Sequence, residues 1–167
     1  ITANITTKSL TVSGITASNK IYDSTTSSTL GTGSVSYGGL VSGDDFVGSY
    51  SGVFADANVG TGKTVNITSS YSGADVNNYS VTDQSTTTAN ITAKSLTVSG
   101  ITASDKTYDG STSATLTGTA VYSGLVAGDT FDGSYTGVFS NANVASGKTV
   151  NITSTYSGAD VNNYSVT

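Results

Sequence analysis

Residues Lys8–Gly14 read KSLTVSG, and the same residues return at Lys94–Gly100. Within the run, Leu10 and Val12 alternate with polar neighbours, as Leu96 and Val98 do in the second copy. Successive side chains of a strand point to opposite faces, so period-two alternation puts both apolar residues on one side of a half-buried β-strand. Gly14 interrupts the pattern, and Ile15–Tyr22 resumes it as a second expected strand.

The copying extends well beyond this strand. Ile5–Thr82 recurs as Ile91–Thr167, with a single-residue gap near Tyr37 and Tyr122 and most aligned positions identical. This is a repeat array rather than one domain. The expected organisation is a repeat over residues 1–82, a short linker over 83–88 and a second repeat over 89–167. The chain opens inside the repeat phase, as expected of a piece of a longer array. Tandem copies suit spacing, multivalency or filament building better than a single active site.

Further strands are read along the first repeat. Thr29–Leu40 is the weakest and holds most of the divergence between copies. Asp45–Phe54 sets Phe46, Tyr50 and Phe54 on one face, Lys63–Tyr71 groups Val65 and Ile67, and Asn78–Thr82 closes the unit with Tyr79 and Val81. Ser42–Gly43–Asp44, Gly60–Thr61–Gly62 and Ser72–Gly73–Ala74–Asp75 supply turn chemistry between them. Short strands at even spacing, rich in Val, Ile, Thr and Tyr, imply an all-β fold. The pattern is that of two small β-sandwich modules (Ig-like) in an elongated arrangement, with β-grasp-like modules as the alternative. Thr86–Ile91 is able to stay extended and run on from the linker into the second repeat.

Composition narrows the function classes. The chain has six Lys, eleven Asp, no Arg, Glu, His or Cys, and a net charge of −5. Disulfides and transition-metal sites built on His or Cys are excluded. Acidic balance without Arg argues against nucleic acid and anionic membranes as partners. No apolar run reaches the length of a membrane-spanning helix. General acid–base or nucleophilic catalysis would have to be built from Lys, Tyr and Asp, and no such arrangement is visible, so a non-enzyme is expected.

Lys106–Thr112 (KTYDGST), together with Val53–Thr82 (VFADANVGTGKTVNITSSYSGADVNNYSVT), resembles the YDG domain of bacterial surface proteins. The resemblance covers nearly all of both units, including the opening KSLTVSG strand. It implies a tandem repeat of long exported proteins, often adhesins of the filamentous-haemagglutinin type, with stalk or spacer duty at the cell surface. It supplies no catalytic residue and no defined ligand. The family motif falls on Tyr22 and Asp23 in the first repeat and on Tyr108, Asp109 and Gly110 in the second. Ser24 stands where Gly110 stands, which argues against an obligatory positive φ at that position.

Other constellations are open to a functional reading. Asp44, Asp45, Asp75 and Asn77, with Asp160 and Asn162 in the second repeat, offer hard oxygens that suit Ca²⁺, although Thr130 replaces Asp45 and no established calcium-loop spacing is present. Asx-turns at strand ends explain the same residues, and no other cofactor is expected. Lys8 or Lys94 with Asp23 or Asp109 as the acid would be the parts of a self-made isopeptide cross-link, which needs an apolar enclosure and a protonated carboxyl. Gly60–Thr64 (GTGKT) lacks the spacing of a phosphate loop and reads as a turn opening a strand. The leading expectation is a stalk of a bacterial surface adhesin, monomeric, with neighbouring repeats as its partners. The alternative is a binding module that holds glycan or host matrix through exposed Tyr37, Tyr50 and Tyr71 and their counterparts Tyr122, Tyr135 and Tyr156.

Overall fold

The computed structural model describes residues 1–167 and is all-β, with no α-helix. Two compact units divide the chain, Ile1–Thr92 and Ala93–Thr167.

The first unit holds ten strands: β1 (Lys8–Ser13), β2 (Thr16–Ala17), β3 (Lys20–Ile21), β4 (Ser27–Ser28), β5 (Leu30–Gly31), β6 (Ser36–Gly38), β7 (Val47–Phe54), β8 (Gly60–Ser72), β9 (Tyr79–Thr82) and β10 (Thr86–Thr92). β1 lies at the centre of a three-stranded sheet, antiparallel to β6 and parallel to β9, with Leu10 opposite Val81. A five-stranded sheet runs β3-β10-β8-β7-β4, and β2 and β5 form a separate ribbon. The alternation read in KSLTVS is realised, since Leu10 and Val12 are buried while Ser9, Thr11 and Ser13 are exposed. Those two residues pack with Ile15, Phe46 and Tyr79, and half-buried Tyr37, Tyr50, Ile67, Tyr71 and Val81 close around them. The core thus draws side chains from both larger sheets, with β7 and β8 contributing alternate residues to it.

Two expected strands are shorter than their patterns suggest. Ile15–Tyr22 splits into β2 and β3, which pair in different sheets. Thr29–Leu40 splits into β5 and β6 around a turn closed by the Val35 N–H on the Thr32 carbonyl. Gly14, at φ 86°, turns the chain between β1 and β2, and a Cβ there would stand 2.2 Å from the Ser34 carbonyl oxygen. Thr86–Thr88 of the expected linker, with Ala89–Thr92 of the expected second repeat, form β10 inside the first unit. The cause is burial, because Ala89 and Ile91 are 6 % and 1 % exposed. β10 runs antiparallel to β8 and parallel to β3.

The second unit repeats the frame with fewer strands: β11 (Lys94–Ala103), β12 (Ser113–Ala114), β13 (Leu116–Ser123), β14 (Asp132–Phe139), β15 (Val150–Ser157) and β16 (Tyr164–Val166). β11 is flanked by antiparallel β13 and parallel β16, while a second sheet runs β12-β14-β15 and leaves β15 at its edge. A single turn of 3-10 helix precedes β9 in the first unit and β16 in the second, at Val76–Asn78 and Val161–Asn163.

Candidate functional site

The family-motif residues build a turn around a lysine. In the first unit Lys20 Nζ donates to the Thr25 carbonyl at 2.8 Å, the Thr25 hydroxyl at 2.9 Å and the Ser27 carbonyl at 3.2 Å, and it pairs with Asp23 Oδ1 at 2.6 Å. The Asp23 carboxylate also accepts from the Thr25 N–H at 2.9 Å, an Asx-turn. Lys106, Asp109, Ser111 and Ser113 reproduce the arrangement, with the ion pair at 2.7 Å. Each ammonium also stands over an aromatic ring, Phe54 at 5.8 Å and Phe139 at 5.9 Å from the centroid. Partial burial works against the Asp23 charge, but the Lys20 and Thr25 hydrogen bonds outweigh it and hold its pKa near 2. At Asp109 the Lys106 contact dominates and the pKa is again about 2.

Position 24 corrects the sequence reading. Ser24 adopts φ 61° and Gly110 φ 77°, so the positive φ is kept in both copies despite the substitution. Ser24 is held there because the neighbouring Asp23 carboxylate and Lys20 fix the turn on both sides. Lys20 and Lys106 are functional residues outside the motif residues Tyr22, Asp23, Tyr108, Asp109 and Gly110. The signal that identifies them is the Lys-x-x-Asp spacing before the turn, present in both copies.

These contacts do not form the expected cross-link site. Lys8 is exposed and Lys94 half-buried, on strands flanked by polar neighbours. Asp23 and Asp109 face Lys20 and Lys106 as ionised carboxylates with more than half of each side chain exposed, the opposite of a protonated acid in an apolar enclosure.

The Ca²⁺ candidates lie at a second corner. Asp75 Oδ2 accepts from the Asp45 N–H at 2.9 Å, and Asp45 Oδ2 accepts from the Ala74 N–H at 3.0 Å, a reciprocal clasp between two turns. Asp160 accepts from the Thr130 N–H at 2.8 Å, so half of the clasp survives where Thr130 replaces Asp45. Asp44 accepts the Tyr79 hydroxyl, and Asp129 accepts that of Tyr164. The same two hydroxyls take the Val41 and Val126 N–H groups at 3.0 and 2.9 Å. Asn77 and Asn162 are exposed in the 3-10 turns. The carboxylates thus serve N–H and O–H donors, and no group of three or more comes together as a metal site. Burial first, and then the Asp129 carboxylate, raise the Tyr164 pKa to about 12.

The tyrosines expected to be exposed turn toward the core. Phe46 packs against Tyr37, Tyr71 and Tyr79 with centroids 5.2–5.7 Å apart, and Tyr50 meets Tyr71 at 6.2 Å. The Tyr50 hydroxyl donates to the Tyr37 hydroxyl at 3.0 Å, which also accepts the Gly48 N–H at 3.1 Å. Phe131 with Tyr122, Tyr135, Tyr156 and Tyr164 repeats the cluster. Lys63 of the GTGKT run is in strand β8 and pairs with Asp56 at 2.6 Å, in keeping with the turn-and-strand reading.

Comparison with curated proteins and with solved structures finds no match. Comparison with family descriptions finds the YDG domain twice, over residues 6–89 and 92–167. With the motif turn built alike in both units, the chain belongs to the YDG domain family as two tandem copies.

Proposed function

We propose that this chain is a non-catalytic structural segment, a pair of stalk or spacer repeats of a bacterial cell-surface adhesin that projects a distal adhesive region. The observation that carries the reading is the parallel pairing, in each unit, of the opening strand with the strand that follows the 3-10 turn. Lys8–Thr11 run beside Tyr79–Thr82, and Lys94–Leu96 beside Tyr164–Val166. A force drawing the start of the one away from the end of the other acts along both strands in opposite senses; in the first unit it reaches them through β10, itself paired with β8. It meets their hydrogen bonds together rather than one after another, the arrangement a load-bearing spacer needs.

Side-chain use supports the same role. The Lys–Asp turn, the Asp–Tyr corner and the aromatic cluster each fasten strands to turns, and each is present twice. The adhesive alternative relied on Tyr37, Tyr50, Tyr71 and their counterparts, whose rings pack on the core instead of forming an aromatic ledge. Within the all-β fold, side chains from two sheets facing a common core favour the Ig-like sandwich. The β-grasp alternative calls for a helix laid across a sheet.

Single-molecule extension of the chain between flanking handles tests the reading. Each unit is expected to unfold in one high-force event, and Val81→Pro, which sets proline opposite Leu10, should lower the force of the first unit's event. Extension without force peaks, or peaks insensitive to that substitution, rules out a shear-loaded spacer.

A further inference from the structure

Side-chain amides tie β10 down at both of its ends. Residues 83–85 carry the chain from β9 into β10, and Gln84 at their centre bonds the backbone of Ile15, which is 2 % exposed. The Ile15 N–H donates to Gln84 Oε1 at 2.9 Å, and Gln84 Nε2 donates to the Ile15 carbonyl at 2.6 Å. Two residues of an antiparallel pair make the same exchange, so the side-chain amide stands in for a peptide group. Gln84 Nε2 also reaches the Thr86 carbonyl at 3.3 Å. On either side of it, the Tyr71 hydroxyl donates to Asp83 and the Ile67 N–H to the Ser85 carbonyl.

The second amide is at the far end. Pairing with β8 steps from Ala89 opposite Lys63 to Ile91 opposite Gly60, so Asn90 faces an irregularity in which β8 supplies two residues, Thr61 and Gly62. Asn90 Oδ1 accepts the Gly62 N–H at 2.7 Å, and the Asn90 N–H donates to Asn19 Oδ1 at 2.7 Å.

The residues between the amides do not choose their own register. Thr86, Thr87 and Thr88 are identical, and exposed Thr86 and Thr88 stand opposite exposed Asn66 and Thr64. A shift of one residue is excluded, because it turns buried Ala89 and Ile91 outward. A shift of two keeps every face and sets threonine against the same polar row. Ile91, 1 % exposed, opposes that shift at one end only. The contacts to Ile15 and Gly62 are made in a single register.

We propose that Gln84 and Asn90 are positioning residues that fix the register of β10 on β8, and with it the point at which the chain leaves the first unit. Gln84 pins the entry to the strand, and Asn90 matches the one place on β8 where an N–H is free of a backbone partner on β10. A two-residue slip would move the exit at Thr92 by about 6.6 Å along β8. For a spacer that is a change of repeat length, a consequence that rests on the proposed role, whereas the register lock does not.

Introduced disulfides test the register directly, since the chain has no cysteine. The Ile67–Ser85 bond makes residues 64 and 88, like 66 and 86, non-hydrogen-bonded pairs, whose Cα atoms lie about 4.5 Å apart, within disulfide reach. Thr64→Cys with Thr88→Cys reports the native register. Thr64→Cys with Thr86→Cys, and Asn66→Cys with Thr88→Cys, report the two slipped ones. With both amides present, only the first pair should close under mild oxidation. With Gln84→Ala and Asn90→Ala added, the slipped pairs should gain at least about tenfold on the first, as expected for the loss of about one or two net hydrogen bonds. The Val65 and Ile67 amides should stay protected from exchange, because a slipped strand still pairs with β8. Slipped closure with both amides present, or none without them, overturns the assignment. So does loss of Val65 and Ile67 protection in the double variant, which would mean that the amides hold the strand on the sheet and do not set its register.

Discussion

Lys20 Nζ lies 2.6 Å from Asp23 Oδ1, and the pair closes the turn that gives the family its motif. The lysine reaches two backbone carbonyls beyond the aspartate, so one side chain ties the start of β3 to the start of β4. Lys106 and Asp109 do the same in the second unit. The contact predicts acid sensitivity. Both carboxylates have folded pKa values near 2, below the ordinary 3.8, so their stabilisation is present above pH 3.8 and is lost as pH falls toward 2. The melting temperature should drop across that window, and a double variant, Asp23→Asn with Asp109→Asn, should start lower at neutral pH and show a flatter acid limb. Calorimetry across the acid range reads both effects.

Ser24 carries the left-handed backbone that Gly110 adopts without a Cβ. An L-residue there is strained by about 1–2 kcal/mol, against which glycine loses about 0.4–1 kcal/mol of unfolded-chain entropy. Ser24→Gly should therefore stabilise the first unit by up to about 1.6 kcal/mol, and Gly110→Ser should destabilise the second by a similar amount. Urea melts followed by residue-resolved amide signals distinguish the two units.

Much of the fold was legible because its strands are half-buried. Leu10 and Val12, or Phe46, Tyr50 and Phe54, announce one face by alternation alone. β10 was harder to place because Thr86–Thr92 pairs with residues far back in the chain, and periodicity reports a strand but not its partner. The split of Ile15–Tyr22 was hidden for a related reason, since β2 and β3 keep an extended pattern while pairing in different sheets. At the candidate site, the Tyr-Asp-Gly/Ser turn is legible, but its lysine centre is marked only by the Lys-x-x-Asp spacing, because lysine ordinarily reads as a solvated surface charge. The tyrosines misled because a ring that is half-buried, with its hydroxyl bonded, has the same sequence signature as an exposed one.

The paired tyrosine hydroxyls leave no room beside Gly48. A Cβ there would stand 2.1 Å from the Tyr50 hydroxyl and 2.6 Å from that of Tyr37. Gly48→Ala should destabilise the first unit by about 1–3 kcal/mol, the range for forcing extra volume into a packed site. Adding Tyr50→Phe removes the nearest oxygen and should recover part of the loss. Gly133→Ala with Tyr135→Phe should behave alike in the second unit, where the corresponding approach is again 2.1 Å. Equal losses in single and double variants would place the clash elsewhere.

Tyr164 predicts the alkaline limit. Its pKa is raised from 10.0 to about 12 by burial and by the Asp129 carboxylate, so the folded state favours the neutral phenol. That contribution is complete below pH 10 and disappears as pH climbs toward 12. Absorbance titration of phenolate should show late-ionising tyrosines, since Tyr50, Tyr71, Tyr79 and Tyr135 are raised as well, and Tyr164→Phe should remove one phenol from that late group. The same variant loses the bond to the Val126 N–H and should cost about 1–2 kcal/mol at neutral pH. A tyrosine titration complete by pH 10.5 or so would contradict the buried, carboxylate-paired phenol.

Ile91 and Ile5 give the sharpest comparison, because they occupy the same place in the same Thr-Ala-Asn-Ile-Thr motif with opposite surroundings. Ile91 is 1 % exposed against β8 and β3, while Ile5 is in full contact with solvent. Sequence alone assigns the two substitutions equal cost. Burial does not. Ile91→Ala should destabilise the first unit by about 2–5 kcal/mol, since it opens a cavity in a closed core. Ile5→Ala should stay within about 0.5 kcal/mol. The loss from Ile91→Ala should appear in exchange of the Gly60–Asn66 amides, which face β10, and leave Val150–Ser157 unchanged. A small effect at Ile91 would mean that β10 is an ornament on the first unit; a large one makes the opening strand of the second copy a structural member of the first.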